Sequence, residues 1–234
     1  MSVIEQHVLH AIRPVVFDLY RDIHKGIRAE LFALTASAGQ VDASDRAAGT
    51  DLARHVRSVL ELLVTHAEHE DVAIQPAIEA HLPQLAEQIE RDHAALETRI
   101  AAIDELAATA AVDARSASRA GYHRIYLELA SFTSAYLAHQ DLEERTLMPA
   151  LEQAIGVDAV LEIHGAIIAS IPPEGLAQSL SLMLPAMNVD DRAELLGGMR
   201  EHAPEEAFAA VWGLTGSILT ARDRAAVAAR IGMA

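Results

Sequence analysis

Apolar residues recur along this chain at alternating intervals of three and four over four long stretches, which Gly, Pro, Asp or Ser residues separate. The first stretch follows Pro14 and fades at Ser37-Ala38-Gly39, with Phe17, Tyr20, His24, Ile27, Leu31 and Leu34 on one stripe. The second begins between Asp42 and Asp51 and carries Val56, Val59, Leu63, His66 and Glu70. The third opens after Pro83 with Ile89, His93, Leu96, Ile100 and Ile103, and the fourth runs through Ile125, Leu129, Phe132, Tyr136, His139 and Glu143. That period belongs to a helix with one buried seam. Four seams in succession predict an all-α protein built on an antiparallel up-down-up-down four-helix bundle.

Six members of these seams are polar: His24, His66, Glu70, His93, His139 and Glu143. Two of the seams carry the same pattern 73 residues apart, His66-x3-Glu70-x5-Pro76 and His139-x3-Glu143-x5-Pro149. Residues four apart on a helix share a face, so each copy can offer a nitrogen and an oxygen to one centre. His24 and His93 fall early in the first and third helices, whereas His66 and His139 fall late in the second and fourth. In an up-down-up-down bundle those four places lie at one level, and the six groups meet in one layer. Taken singly, a seam histidine is more often a hydrogen-bonded core residue, and a His-x3-Glu pair is more often a surface ion pair. In register on four seams, two buried carboxylates beside four imidazoles require positive charge among them. The pattern therefore points to a metal centre. The two prolines have a simpler role, letting each helix kink or restart beyond the carboxylate turn, and Glu79 and Glu152 after them are expected in solvent.

Other polar residues fit less well. His55 and His69 lie on a strip beside the seam, so His69 is at most an outer neighbour of the site. His7, His10, His81, His123, His164 and His202 belong to no pattern. Glu97 lies one turn beyond His93, although Leu96 fits the apolar seam better. Tyr20 and Tyr136, one turn before His24 and His139, are either core residues or hydroxyls that reach the centre.

Charge and composition narrow the chemistry further. With 18 basic and 34 acidic residues, the net charge of −16 opposes binding to nucleic acid or anionic membranes. Cysteine is absent, which removes disulfides, thiolate metal sites, iron–sulfur clusters and cysteine nucleophiles. The first residues lack a basic segment followed by an apolar core, and the later apolar runs are too short to span a bilayer, so the expected location is the cytoplasm. Lys25 is the only lysine, a bias that suits a high-GC bacterium.

The residues RDIHKGIR around His24, HAEHED with His66 and Glu70, RDHAAL with His93, and HQDLEE with His139 and Glu143 resemble the hemerythrin-like, or HHE, cation-binding domains. The resemblance spans roughly residues 10 to 155 and is closest to a bacterial branch with the order H, HxxxE, H, HxxxE. It implies a four-helix bundle around a non-haem di-iron centre, two iron ions with an oxo or hydroxo bridge, with manganese or zinc ranked behind iron. Carried across, Glu70 and Glu143 match the bridging carboxylates, and His24, His66, His93 and His139 match the terminal ligands. Glu97 stands where oxygen-carrying hemerythrins place a second histidine, and His-x3-Glu replaces His-x4-Asp. Both departures point away from reversible oxygen carriage. Imidazole and carboxylate donors suit Fe(II), Fe(III) or Mn(II), and six side chains leave coordination positions open on two six-coordinate ions.

Residues 1–155 are thus expected to form the bundle and 156–234 a helical C-terminal extension. Short helices are predicted near Asp158 to Ser170, Pro172 to Met187, Val189 to Glu201, Pro204 to Leu219 and Ala221 to Ile231. A strip with Met183, Met187, Met199, Phe208 and Trp212 builds a small core or, as the weaker reading, offers a protein-partner surface. Two functions follow. The first is binding or sensing of oxygen, nitric oxide or iron. The alternative is an enzyme acting on hydrogen peroxide, catalase- or peroxidase-like, with a seam tyrosine or Glu97 assisting proton transfer.

Overall fold

The structure, a computed structural model, describes residues 13–113 and 115–233; His7 and His10 lie outside the described residues. The described residues form helices and no strand. Four long helices, α1 (Arg21–Gln40), α2 (Arg46–Ala73), α4 (Pro83–Val112) and α5 (Arg119–Leu142), make the bundle, and α3 (Gln75–His81) continues α2 beyond a break at Ile74. Each long helix packs on its chain neighbour, and α1 closes the ring against α5.

Local chemistry sets the boundaries. Asp18 accepts hydrogen bonds from the amides of Tyr20 and Arg21 at 3.0 and 3.1 Å, which starts α1 later than its apolar stripe suggests. Phe17 therefore lies ahead of the helix and packs edge-on against His164. Asp45 caps α2 through the amides of Ala47 and Ala48, and the Ser118 hydroxyl caps α5. Pro76 cannot donate to the preceding turn, and α2 breaks there. The matching region of α5 takes a different form. Glu143–Leu147 is a π-helical turn, closed by the Met148 amide on the Glu143 carbonyl, before α6 (Met148–Ile155) resumes the helix with Pro149 in its first turn.

Glu152 corrects one expectation. Its half-buried carboxylate accepts hydrogen bonds from the amides of Val16 (2.9 Å) and Phe17 (3.1 Å), and so ties the segment before α1 to α6. Glu79 is exposed, as expected.

Beyond α6 the chain turns at Gly156, whose φ of +82° favours glycine, and α7 (Val157–Ser170) departs at 114° to the preceding helix. The helices α8 (Pro173–Ala186), α9 (Val189–His202), α10 (Glu205–Ile218) and α11 (Ala221–Arg230) follow the predicted segments closely. Leu180, Leu184, Met187, Leu196, Val211 and Val227 form their core, with Met183, Met199 and Trp212 against it, so the methionines serve packing. Buried Arg192 satisfies the last carbonyls of α8, those of Leu184 (2.6 Å) and Pro185 (3.1 Å). The α8 helix lies directly along α1. A Cβ on Gly26 would stand 2.8 Å from Leu182 Cγ, and Arg21 and Lys25 pair with Glu194 and Asp191 of α9. No single helix among the described residues is long and apolar enough to cross a membrane.

Two apolar clusters fill the bundle. One contains Ile27, Leu34, Leu63, Leu96, Leu129 and Phe132; the other contains Tyr20, Ile74, Ile89, Leu147, Met148 and, from α7, Val160. The six polar seam residues occupy the level between them.

Candidate metal centre

The structure brings all six residues together. His24, His139, Glu70 and Glu143 are buried, and His66 and His93 retain side-chain exposures of only 10% and 13%. Each carboxylate spans two histidines. Glu70 places Oε1 3.0 Å from His66 Nε2 and Oε2 3.4 Å from His93 Nε2. Glu143 places Oε1 3.1 Å from His139 Nε2 and Oε2 3.5 Å from His24 Nε2. The Nε2 atoms of His24 and His66 are 3.2 Å apart. The layer thus divides into two halves, one at His24 and His66 and one at His93 and His139, with one oxygen of each carboxylate facing each half.

The four carboxylate–imidazole approaches are close without being hydrogen bonds, whereas the His24 and His66 nitrogens are within hydrogen-bond distance of each other. Glu70 Oε1, both oxygens of Glu143 and Nε2 of His93 are buried and lack hydrogen-bond partners among the described residues. Leaving one such group unsatisfied costs about 1–3 kcal/mol, and more where it is charged. Lone pairs converging on common points are what a cation needs. Two imidazole nitrogens at adjacent positions of one ion, each about 2.1 Å away, stand about 3 Å apart, close to the spacing of His24 and His66. Donors from Glu70, His93, His139 and Glu143, and from His24, His66 and Glu70, lie within 4.8 Å of one another. The residues present fit a metal-binding cluster.

Electrostatics lead to the same conclusion. Burial, and then the neighbouring Glu70, raise the Glu143 carboxyl well above its usual range. Burial opposes ionisation of Glu70 too, but His66 and His93 overcome it and hold that carboxyl well below its usual range. Only one of the two carboxylates is therefore readily ionised with protons as the sole source of positive charge. The imidazoles divide likewise. Burial lowers His24 to about 4, while His93, despite burial, is raised to about 9 by its contact with Glu70. Metal cations would satisfy both carboxylates at once. Burial, followed by Glu70 and Glu143, also pushes the hydroxyls of Tyr20 and Tyr136 well above 10, so both remain protonated.

A second layer of residues went unread in the sequence. Glu144 Oε1 sits 3.0 Å from His24 Nδ1 and accepts from Arg28 Nη1 at 2.7 Å, while Glu144 Oε2 accepts from Arg28 Nη2 at 2.9 Å. Asp71 Oδ1 lies 3.0 Å from His93 Nδ1, within hydrogen-bond reach, whereas Asp92 Oδ2, 3.8 Å from His139 Nδ1, is a nearby charge and not a hydrogen-bond partner, and that nitrogen is buried without one among the described residues. Hydrogen-bonded carboxylates such as Glu144 and Asp71 orient imidazoles and strengthen them as donors, and the Asp92 charge acts on His139 through space. The available signal was an acid directly beside a seam residue, Asp71 after Glu70, Glu144 after Glu143 and Asp92 before His93. Each serves a histidine on a different helix, which spacing within one helix does not reveal. Glu97 is exposed and Leu96 occupies the seam. His55 pairs with Glu30 at 3.3 Å, outside the cluster.

A four-helix bundle holding a buried His/Glu cluster of this kind defines a class of cation-binding helical proteins. The model of one family, described as the hemerythrin HHE cation-binding domain, matches residues 15–151. The chain belongs to that family, and the match includes every residue of the cluster. No curated protein and no solved structure matches the chain.

Proposed function

We propose that this is a cytoplasmic, non-haem di-iron protein of hemerythrin type that binds or senses oxygen, nitric oxide or iron. The observation that carries the proposal is the division of each carboxylate, one oxygen toward each pair of histidines, with most of those oxygens lacking any other partner. In this reading His24 and His66 would hold one ion and His93 and His139 the other, with Glu70 and Glu143 offering an oxygen to each. The donors, imidazole and carboxylate without thiolate, suit iron. Two iron ions, when bound, supply redox chemistry and coordination positions not filled by protein, at which a small molecule can bind.

The chain's own residues shape that environment. The apolar clusters on either side exclude water, which strengthens electrostatic interactions within the layer. Tyr20 and Tyr136 line the layer as protonated, neutral groups, with rings 5.0 Å from His24 and 6.0 Å from His139. Binding is favoured over turnover because Glu97, the acid available in the sequence for proton transfer, is exposed, and because both hydroxyls resist deprotonation.

Spectroscopy of the iron-loaded protein tests this reading. Visible bands that change on adding oxygen or nitric oxide and return when the gas is removed are the expected result. Rapid oxygen evolution from hydrogen peroxide, without a stable adduct, would instead establish the peroxide enzyme.

A further inference from the structure

An approximate twofold relates the halves of the cluster. The pair α1 and α2 corresponds to α4 and α5, so that His24 answers to His93, His66 to His139 and Glu70 to Glu143. The correspondence extends outward. His24 Nδ1 meets Glu144, which follows Glu143, and His93 Nδ1 meets Asp71, which follows Glu70, each at 3.0 Å.

The symmetry breaks at two places. Arg28, one turn after His24, clamps Glu144 with two hydrogen bonds, whereas its counterpart one turn after His93 is the exposed Glu97. The residue before His24 is Ile23, packed against the apolar core, whereas the residue before His93 is Asp92, 3.8 Å from His139 Nδ1. The charge behind His24 is thus one carboxylate neutralised by one guanidinium. Behind His93 and His139 stand two carboxylates, and neither forms an ion pair with Lys or Arg among the described residues.

We infer that the two halves are unequal metal positions, and that the His93/His139 half takes up a divalent cation first and more tightly because Asp71 and Asp92 stand behind its imidazoles without a balancing cation. This rests on the reading that the six residues hold two ions. A carboxylate behind a ligating imidazole makes it a stronger donor, and loss of such a partner typically weakens metal binding 10- to 100-fold. Arg28 shares the charge of Glu144 and cancels much of that effect at His24. Solvent screens Asp71, with its side chain 57% exposed, more than Asp92 at 39%, so Asp92 is the more informative residue to change.

Anaerobic titration of the metal-free full chain with Co(II), followed by calorimetry and visible absorption, tests the inference. The wild type should bind two equivalents in two steps separated by about tenfold or more. His139→Ala should abolish the tight step, and His66→Ala should abolish the weak one. Asp92→Asn, a near-isosteric change at a half-buried site that keeps the fold, removes a charge 3.8 Å from His139 Nδ1 and should weaken the tight step about tenfold while leaving the weak step unchanged. Glu97→Gln should alter neither. Two equal steps in the wild type, or an Asp92→Asn protein with both steps unchanged or only the weak one affected, would overturn the inequality while leaving the ligand assignment standing. Failure of the wild type to bind Co(II), or two intact equivalents in folded His66→Ala and His139→Ala proteins, would overturn the ligand assignment itself. If either histidine variant does not fold, the Asp92→Asn titration decides alone.

Discussion

Within the same four helices, the level around Leu34, Val56, Ile103 and Leu129 differs sharply from the level of His24, His66, His93 and His139. Both occupy the inward seam, and both are almost dry. The apolar level is complete in itself, since buried hydrocarbon needs only neighbours of matching shape. The polar level is incomplete, with carboxylate oxygens and two ring nitrogens that no group among the described residues satisfies. One helical period can thus encode both a self-sufficient core and a site dependent on something that is not protein.

The sharpest way to break the comparison is to remove a bridging carboxylate. Glu70→Ala should eliminate metal binding and destabilise the bundle by about 3–5 kcal/mol, since the imidazoles it contacts are left buried without their partner. Metal analysis and denaturant unfolding measure the two effects together. In the apolar level, Leu129→Ala should cost about 2–5 kcal/mol through its cavity but retain full metal content. If that variant loses metal at unchanged fold, the two levels are not separable. Where the extension meets the bundle, Gly26→Ala forces a Cβ to within 2.8 Å of Leu182 Cγ and should cost about 1–3 kcal/mol.

Smaller, because His93 keeps some contact with solvent and screening weakens its ion pair, is a pH effect on the metal-free protein. His93 is raised from 6.5 to about 9, so the stability it contributes is fully present below pH 6.5 and is lost as pH rises toward 9. His66 and Glu143 are shifted in the same upward direction and act with the same sign, each favouring the fold less as pH rises above its own ordinary value. Metal reverses the trend, because ligands must shed protons to bind it, and loading should strengthen with rising pH. Thermal unfolding at pH 6.5 and 9, with and without metal, reads both slopes; parallel slopes would mean that the cluster does not exchange protons for metal. Least affected should be Glu97→Ala, with stability within about 0.5 kcal/mol of wild type and no change in metal content.

Much of this arrangement was legible in the chain. The alternation of three and four located four seams, and all six cluster residues were found because each interrupts an apolar stripe. The extension's helices were equally readable, since Pro172, Pro204 and the apolar periods mark them. Other features depend on contacts between distant segments. The stripe at Phe17 continues the helical period, yet Asp18 captures the amides that would have extended it. Glu152 reads as a surface acid until the turn ahead of α1 brings two backbone amides to it. The π-helical turn at Glu143 differs from the break at Ile74 although the two sequences share a pattern. The outer acids Asp71, Asp92 and Glu144 stand beside seam residues in the chain, but their partners do not show there, as each faces a histidine on another helix.

The measurement that tests the central claim most directly is the metal content per chain of protein prepared without chelators, compared with Glu143→Gln prepared identically. The account predicts two iron ions per wild-type chain and a marked loss from the variant, with the helical content of both preserved. A wild type free of metal under iron-replete conditions, or a variant that keeps both ions, would contradict it.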